Sequence, residues 1–334
     1  MSNESTAGPS GTESPQPHAL IRGLTNDQRD LVSVSAILLV VVVVAALASG
    51  GTFLQPGNLV NVLQQNVVLF VLAIAQFIVV LTSGIDLSVG AVVALSSVLF
   101  VGYLDFGVLP ALLIAVAGGA LVGLVNGLMV VLIRLPSFVA TLGAMQIVYS
   151  IAKLFTGGAA LHASLGGAPI PDAVTGFYDR SVLALPYPTL VFVAVFIAAL
   201  VYLRSSVGYF LYAIGSNDRA ARFAGLPAGK LRVGAYVVAS AITAIGGVLF
   251  AARVSYGDPQ AGLWLPLDTI AAVSIGGASL TGGRGTILAT VLGVLIIAIL
   301  NNTMNLIGIS PTLQPAIKGL IIILTVFLYS RRGS

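Results

Sequence analysis

Long apolar runs, separated by short polar or glycine-rich intervals, make up most of the chain. A helix needs about 20 apolar residues to cross a bilayer, and ten runs approach that length. The predicted spans are residues 31–50, 59–82, 85–104, 108–133, 136–155, 183–203, 232–252, 267–281, 286–305 and 312–330. Prolines fall at or near their ends, where they disturb a helix least. The pattern predicts an all-α integral membrane protein with about ten transmembrane helices.

Composition supports this class and excludes several kinds of chemistry. Of 334 residues only 8% are charged, against about 25% in soluble domains, and the mean hydropathy is +1.05. No cysteine is present, which excludes disulfides and thiolate sites, and with only two histidines, His18 and His162, the sequence does not favour a histidine-based metal site or general base. We therefore expect no catalytic and no metal-binding residues. The net charge of +4 is scattered, so we expect contact with lipid and none with nucleic acid.

The basic residues predict how the helices cross the membrane. With the N-terminus in the cytoplasm and ten alternating spans, eleven lysines and arginines lie inside, and three lie outside. This is a strong positive-inside bias. We expect residues 1–30, rich in small polar residues and proline, to form a disordered cytoplasmic tail. Residues 31–330 form the transmembrane domain, with the C-terminus and the loop 204–231 also cytoplasmic.

The third span of each half begins in a similar way. Asp86 opens one, four residues before Gly90, and Asp268 opens the other, and each carboxylate is suited to capping a helix N-terminus. The run at 267–281 is also short for a full span. Five spans per half would make two related halves inverted, and interrupted helices at matching places in inverted halves are typical of transporters. We therefore predict two inverted five-helix halves, with these three residues in structural roles.

Small residues recur at helical spacing in two places. Gly119, Gly123 and Gly127 make two GxxxG steps in the fourth span, and Ser274, Ala278 and Gly282 repeat the spacing in the eighth. Such spacing lets helices approach closely, and we interpret both patterns as packing faces rather than ligand sites.

Neutral amide side chains within the spans suggest a path for a solute. Such groups are costly in an apolar helix unless they face a cavity or a partner, and they suit a polyhydroxylated neutral solute better than an ion. The alternative for each residue is hydrogen bonding between helices. The candidate path residues are Gln64, Gln65, Asn66, Gln76, Asn126, Gln146, Asn301, Asn302 and Asn305. Of the two ionisable residues well inside spans, we expect Asp86 to cap a helix rather than carry protons. Lys318 would bind a backbone carbonyl or extend toward the membrane surface.

The interval 204–231 carries a short predicted helix in a charged loop. Asn217 and Asp218 can cap it, and Gly225 can end it. The residues involved are Asn217, Asp218, Arg219, Ala220, Ala221, Arg222, Phe223 and Gly225. From composition, the interval either presents a short projecting helix that docks on another protein or is an ordinary basic loop that only fixes the topology. Neither glycine-rich run, 225–230 or 276–285, matches a P-loop. If the chain takes part in transport that is powered by ATP, the ATPase is therefore a separate chain.

Several ordered motifs carry a family resemblance. They are NVLQQ (61–65), TSGIDLSVGAVVALS (82–96), GLVNG (123–127), GSNDRAARFAG (215–225), LDTIAAVSIGGASLTGGRGT (267–286) and LNNTMNLIGIS (300–310). From about residue 58 to 330 the chain resembles the membrane permeases of bacterial ATP-binding-cassette (ABC) importers for sugars, such as those for ribose, xylose and arabinose. The glycine-rich loop 156–182 departs from the family pattern.

The resemblance implies a multi-pass protein of the bacterial inner membrane that performs no covalent chemistry. Its expected partners are a second permease subunit, identical or different, cytoplasmic ATPase subunits that bind ATP and magnesium, and an extracytoplasmic sugar-binding protein. The chain itself would hold no cofactor. Residues 217–224 would form the coupling helix that inserts into the ATPase. The solute would be a monosaccharide or a related polyol-like compound. An ABC permease for an amino acid, nucleoside or signalling sugar, and an ion-coupled secondary transporter, remain as alternatives, and a membrane-embedded enzyme is the weakest.

Overall fold

The computed structural model describes residues 26–162, 170–182 and 185–320, with side chains from residue 28 onward. Most of the predicted tail, 1–30, therefore lies outside the described residues. The helices are α1 (Asn26–Ala48), α2 (Pro56–Leu81), α3 (Val89–Gly102), α4 (Val108–Val131), α5 (Ser137–Thr156), α6 (Asp172–Thr175), α7 (Tyr187–Arg204), α8 (Ser206–Ser216), α9 (Asp218–Phe223), α10 (Ala228–Val254), α11 (Leu265–Ile275) and α12 (Ile287–Leu306). Short 3-10 turns at Thr52–Leu54 and Leu104–Phe106 and a two-strand hairpin, β1 (Ser181–Val182) with β2 (Leu185–Pro186), complete the described elements.

Nine of the ten predicted spans correspond to apolar helices. Within the described residues, seven helices are long and apolar enough to cross a membrane: α1, α2, α4, α5, α7, α10 and α12. Helices α3 and α11 are shorter, at 14 and 11 residues. These are the two elements whose sequences predicted interrupted spans. The tenth prediction, 312–330, lies mostly outside the described residues, although residues 314–320 are helical. The structure thus supports a multi-pass helical protein without fixing ten spans.

Helix α2 lies at the centre of the bundle. Every residue from Val67 to Leu81 is buried, and α7, α10, α11 and α12 pack around it. A helix that is apolar on all sides needs such surroundings to be shielded on every face. By contrast, α1 packs mainly on α12 and leaves much of its surface exposed.

The GxxxG steps of α4 form the predicted packing face. A methyl group on Gly119 would lie 2.6 Å from the Cβ of Ala244 on α10, and one on Gly123 would lie 2.8 Å from the Cβ of Ser240. At Gly127 the nearest atom of α10 would be a backbone Cα at 2.8 Å. Because ordinary carbon contacts are about 3.5–4.0 Å, α4 and α10 can keep this separation only with glycine at these positions. The packing interpretation of this motif is confirmed.

The second small-residue pattern is not a helix face. Helix α11 ends at Ile275, so Ala278 and Gly282 lie in the connection to α12, where Gly282 has a φ of +92°. The sequence spacing was right for a helix, but Gly276 and Gly277 end the helix before the pattern can repeat. This interpretation was wrong.

Two further expectations need correction. The interval 204–231 is not chiefly loop, because α8 occupies residues 206–216 and is continuous with the short helix α9 through one residue, Asn217. Asp268 does not cap α11. It lies inside the first turn of that helix, which begins at Leu265, and its carboxylate forms an ion pair with Lys318. Within the described residues, the partner of Lys318 is therefore a carboxylate rather than the predicted backbone carbonyl.

Candidate functional site

Helix α9 is a six-residue projection whose ends are set by its own sequence. The Asn217 side chain accepts a hydrogen bond from the Ala220 N–H at 2.9 Å, which satisfies one of the free donors of the first turn. Gly225, with a φ of +81°, follows the last turn and lets the chain reverse. Ala221 alone of the helix is buried and anchors it to the body. The predicted helix is confirmed.

The outward face of α9 carries an exposed apolar residue close in sequence to two exposed cations. The Phe223 side chain is 87% exposed, and Arg219 and Arg222 are exposed beside it. An isolated aromatic ring in water beside two guanidinium groups has the composition of an interface anchor, since aromatic residues and arginine are enriched in protein interfaces. The face can therefore enter a groove on another protein.

Asp218 fixes the orientation of α9 against α10. Its two carboxylate oxygens bind Arg222 Nε at 2.8 Å and Arg232 Nη2 at 3.0 Å. Partial burial opposes ionisation of this carboxyl group, but the hydrogen bonds and charges of the two arginines outweigh it and lower its pKa below the ordinary value. The pair with Arg232 links α9 to the start of a long helix, so a displacement of α9 acts directly on α10.

Helix α8 ends at a three-segment junction, formed by residues 81–84, 215–216 and 281–285. The Gly283 N–H donates to the Leu81 carbonyl at 3.0 Å, and Ser83 Oγ donates to the carbonyls of Gly215 at 3.1 Å and Thr281 at 2.7 Å. Gly215 touches the backbone of both neighbouring segments, so a side chain there has no room. The junction joins the α8–α9 unit to the loops that follow α2 and α11.

The α2–α3 interruption begins at this junction and is held by buried polar groups. With its amide oriented to satisfy both contacts, Gln76 donates to the Asp86 carbonyl at 3.0 Å and accepts from its N–H at 3.2 Å. Asp86 Oδ1 in turn accepts from Ser88 N–H at 2.7 Å and Oγ at 2.6 Å, and Asn126 Nδ2 donates to Ser88 Oγ at 2.8 Å. Asp86 therefore orders the turn before α3, two residues ahead of the N-cap position, Ser88.

Gly90 allows the start of α3 to pack closely on the connection that precedes α11. A methyl group there would contact the Gly262 carbonyl and would lie 2.9 Å from the Tyr149 hydroxyl. The start of α3 thus packs on the connection that leads into α11. Gly90 lies where its predicted structural role requires. Neither Asp86 nor Asp268 caps its helix as predicted, because the N-cap of α3 is Ser88 and Asp86 lies in the turn before it, whereas Asp268 lies inside α11.

The nine candidate path amides are not brought together within one chain. Gln76 and Asn126 are fully buried at the α2–α3 interruption, where their partners are backbone and a hydroxyl group. Asn302 makes two hydrogen bonds with Asn58, at 2.9 and 3.0 Å, which join α12 to α2. For these three residues the structure favours the alternative of bonding between helices.

The remaining amides differ in their surroundings. Gln64 donates to the Tyr178 carbonyl at 3.1 Å, Asn66 donates within its own helix at 2.8 Å, and the Asn301 side-chain oxygen is buried with no partner among the described residues. Gln65 and Gln146 are exposed. Whether exposed amides line a path stays a prediction, because the surface that they occupy is open in the isolated chain.

Asn305 leads to a site that sequence reasoning missed. Its side-chain oxygen accepts from Gln314 at 2.8 Å, and Gln314 lines a cavity of about 290 Å³ together with Trp264, Asp268 and Lys318. The ion pair between Lys318 Nζ and Asp268 Oδ2 measures 3.1 Å. The sequence signals were present but weak: the chain has one tryptophan, four residues before Asp268, and Gln314 and Lys318 are one helical turn apart.

Comparison with known proteins identifies relatives over most of the chain. Residues 58–326 match the family model described as branched-chain amino acid transport system / permease component. The ribose import permease protein RbsC of Escherichia coli K12 is 34% identical over 304 residues, which cover 90% of this chain and 93% of that protein. RbsC of Bacillus subtilis is 35% identical (85% and 88%), and the galactose/methyl galactoside import permease protein MglC of Haemophilus influenzae is 31% identical (91% and 96%). No solved structure matches significantly.

Proposed function

The chain belongs to the permease-component family that residues 58–326 match, and on that premise we propose that it is the membrane-spanning subunit of an ABC importer for a sugar. The observation that carries the substrate class is that relatives named as import permeases for ribose and for galactose align over about nine-tenths of both chains. The chain contributes transport rather than covalent chemistry. ATP and magnesium would be bound by a separate ATPase.

The structure supports a mechanical link to such an ATPase. Helix α9 exposes Phe223 together with Arg219 and Arg222, and its Asp218 holds it to α10. Helix α8 joins it to the three-segment junction, where the α2–α3 interruption begins. An ATPase that moves α9 would therefore move α10 and the loops at both interrupted helices together. This is the coupling that alternating access requires, in which partners stabilise different conformations of the bundle.

The remaining parts of the proposal concern the assembly. We place the chain in the bacterial cytoplasmic membrane with α9 and both termini in the cytoplasm, on the strength of the distribution of lysine and arginine. A second permease subunit and an extracytoplasmic sugar-binding protein would complete the importer. The exposed amides Gln65 and Gln146 would then face the second subunit or the solute path.

The test begins with purification of the tagged chain in mild detergent and identification of what copurifies. We expect an ATPase whose turnover rises with a sugar-loaded binding protein. Charge reversal by Arg219→Glu with Arg222→Glu should release the ATPase and abolish uptake, while membrane insertion is retained. The matched control reverses two exposed basic residues of the same interval outside α9, Arg204→Glu with Lys230→Glu, and should keep the ATPase bound.

Two results would contradict the proposal. Normal uptake and ATPase binding in the Arg219 and Arg222 double variant would remove the docking role of α9. A single chain that moves solute in liposomes with an ion gradient, and without any ATPase, would establish the secondary-transporter alternative instead.

A further inference from the structure

A cavity opens between the start of α11 and the segment 311–319, and none of its lining residues belongs to α8 or α9. Its volume is about 290 Å³, at the lower end of the range of about 300–1,000 Å³ for ligand pockets, which suits a small solute. Its wall contains apolar residues, two prolines among them, together with four side chains that carry an aromatic ring or hydrogen-bonding groups: Trp264, Asp268, Gln314 and Lys318. The mixture of an apolar wall and a few polar groups is typical of binding sites.

The ion pair in this cavity presents hydrogen-bonding groups without a net charge. The side chains of Lys318 and Asp268 retain 22% and 17% of their exposure, so both reach the cavity. Lys318 uses one of its three donors on Asp268 Oδ2 at 3.1 Å. Asp268 Oδ1 has no hydrogen-bond partner within the part of the chain that the structure describes. Because each charge neutralises the other, the site offers donors and acceptors to a neutral solute and binds a free ion weakly.

The other two side chains complete a site for a hydroxylated ring. The Gln314 amide group donates to Asn305 Oδ1 at 2.8 Å and to the Ile309 carbonyl at 3.2 Å. These two hydrogen bonds fix the side chain and leave its oxygen free to accept a hydrogen bond from a solute. Trp264 is 68% exposed and offers a flat apolar face beside these polar groups. A sugar ring is likewise apolar on one side and polar on another, because C–H bonds cover one face and hydroxyl groups project from its edge. A tryptophan that only anchored the protein at the membrane surface would have no need of a polar cavity.

We propose that Trp264, Asp268, Gln314 and Lys318 form a sugar-binding site of the permease itself. The indole face stacks on the C–H face of the ring, and the Asp268 carboxylate, the Gln314 carbonyl and the Lys318 ammonium group bind adjacent hydroxyl groups. The inference rests on the proposed function, because it names a site for the solute class assigned there. An α-amino acid is the competing solute, since its two charges could open the ion pair.

Trp264 supplies its own reporter, because it is the only tryptophan in the chain. The first measurement is the emission of Trp264 in the full-length chain in lipid nanodiscs, titrated with D-ribose, D-galactose and, as the competing solute, L-leucine. Uptake of the same compounds by the assembled importer is measured in parallel. We expect a saturable change in emission with at least one sugar that is also imported, and none with L-leucine.

Variants separate binding from the structural effect of the ion pair. Asp268→Asn should raise the half-saturating sugar concentration about tenfold or more, because a hydrogen bond to a charged group is lost. Asp268→Asn also removes the charge that pairs with Lys318, so it should lower the unfolding temperature. The exchanged pair, Asp268→Lys with Lys318→Asp, keeps the attraction and should restore that temperature to the value of the unchanged chain. It should not restore sugar affinity, since donor and acceptor have changed places. Asp172→Asn, on an exposed acid that does not line the cavity, is the matched control and should titrate as the unchanged chain does.

Each remaining outcome overturns the site. If the exchanged pair restores sugar affinity together with stability, the pair serves folding alone. If Trp264 emission stays constant while the assembled importer takes up a sugar, this site is wrong and the proposed function stands. If L-leucine and no sugar saturates the emission and is imported, both proposals fail. The titration of the unchanged chain decides these last two cases even where a variant does not fold.

Discussion

The three-segment junction has no room for a methyl group on Gly215. A Cβ atom at this position would lie 2.6 Å from the Gly283 nitrogen and 2.9 Å from the Leu81 carbonyl carbon, and nearer still to the Leu81 oxygen. These are backbone atoms, which cannot rotate away as a side chain would. Gly215→Ala must therefore push α8 away from the ends of the segments that it joins.

The expected cost follows from three contributions. Overpacking in a tight interior costs about 1–3 kcal/mol, and displacement of Gly283 would weaken its hydrogen bond to Leu81, at about 1 kcal/mol. Alanine is the better helix former by about 1 kcal/mol, which offsets part of this. The net expectation is a loss of about 1–3 kcal/mol in the free energy of unfolding. The matched control is Gly234→Ala in α10, where no atom lies within 4 Å of the added methyl group and only the favourable contribution remains.

Two assays read the effect on stability and on coupling. Unfolding in detergent should begin at lower denaturant concentration for Gly215→Ala and at equal or higher concentration for Gly234→Ala. In the assembled importer, Gly215→Ala should keep the ATPase bound, because α9 is unchanged, and should import less solute per ATP hydrolysed. If the two variants behave alike in both assays, the junction does not transmit motion between α9 and the interrupted helices.

Three further expectations concern single contacts. Asp218→Asn should loosen α9 from Arg232 at neutral pH. In the unchanged chain the contact between Asp218 and Arg232 should persist above the ordinary aspartate pKa of about 4. It should be lost as the pH falls through the lower pKa that Asp218 has in the folded protein. The rate of proteolysis within residues 204–231, measured as a function of pH, reports the loss of the contact. Gln76→Met should destabilise the chain by about 1–3 kcal/mol, seen as earlier denaturation, because Asp86 N–H and C=O lose their partner in a dry interior; unchanged stability would contradict that pairing. Asn302→Leu should lower the unfolding temperature, since Asn58 on α2 loses both hydrogen bonds to Asn302 and keeps only the one to the Phe53 carbonyl. An equal or raised temperature would show that the pair contributes nothing.

Features encoded by neighbouring residues could be predicted from the sequence. The α9 helix is one, because Asn217 caps it and Gly225 ends it within a few residues of chain. The close packing of α4 is another, because the GxxxG spacing is a property of one helix. The short span at 267–281 was also evident, since a proline and glycines limit it, whereas the predicted span 85–104 is longer than the 14-residue helix α3.

Features that depend on distant partners could not be predicted. Nothing local distinguishes Gln76, which holds a backbone segment ten residues away, from an amide that lines a path. Asp268 and Lys318 are fifty residues apart, and either could have been read as a cap or a surface charge until the fold placed them 3.1 Å from each other. The spacing of Ser274 and Ala278 suggested a helix face, but the glycines between them had the stronger effect on the backbone.

The close contact of α4 with α10 restricts where the protein can change shape. Helices that interlock through Gly119, Gly123 and Gly127 cannot slide or rotate against each other without backbone collision, so the two must travel as one rigid body. The hinges of the transport cycle then belong elsewhere, at connections such as Gly276–Gly277 and Ser83–Gly84, where the chain is not helical. Spin labels on α4 and α10 should keep one fixed separation in every nucleotide state, which makes this pair a natural reference frame for measuring the movement of the rest.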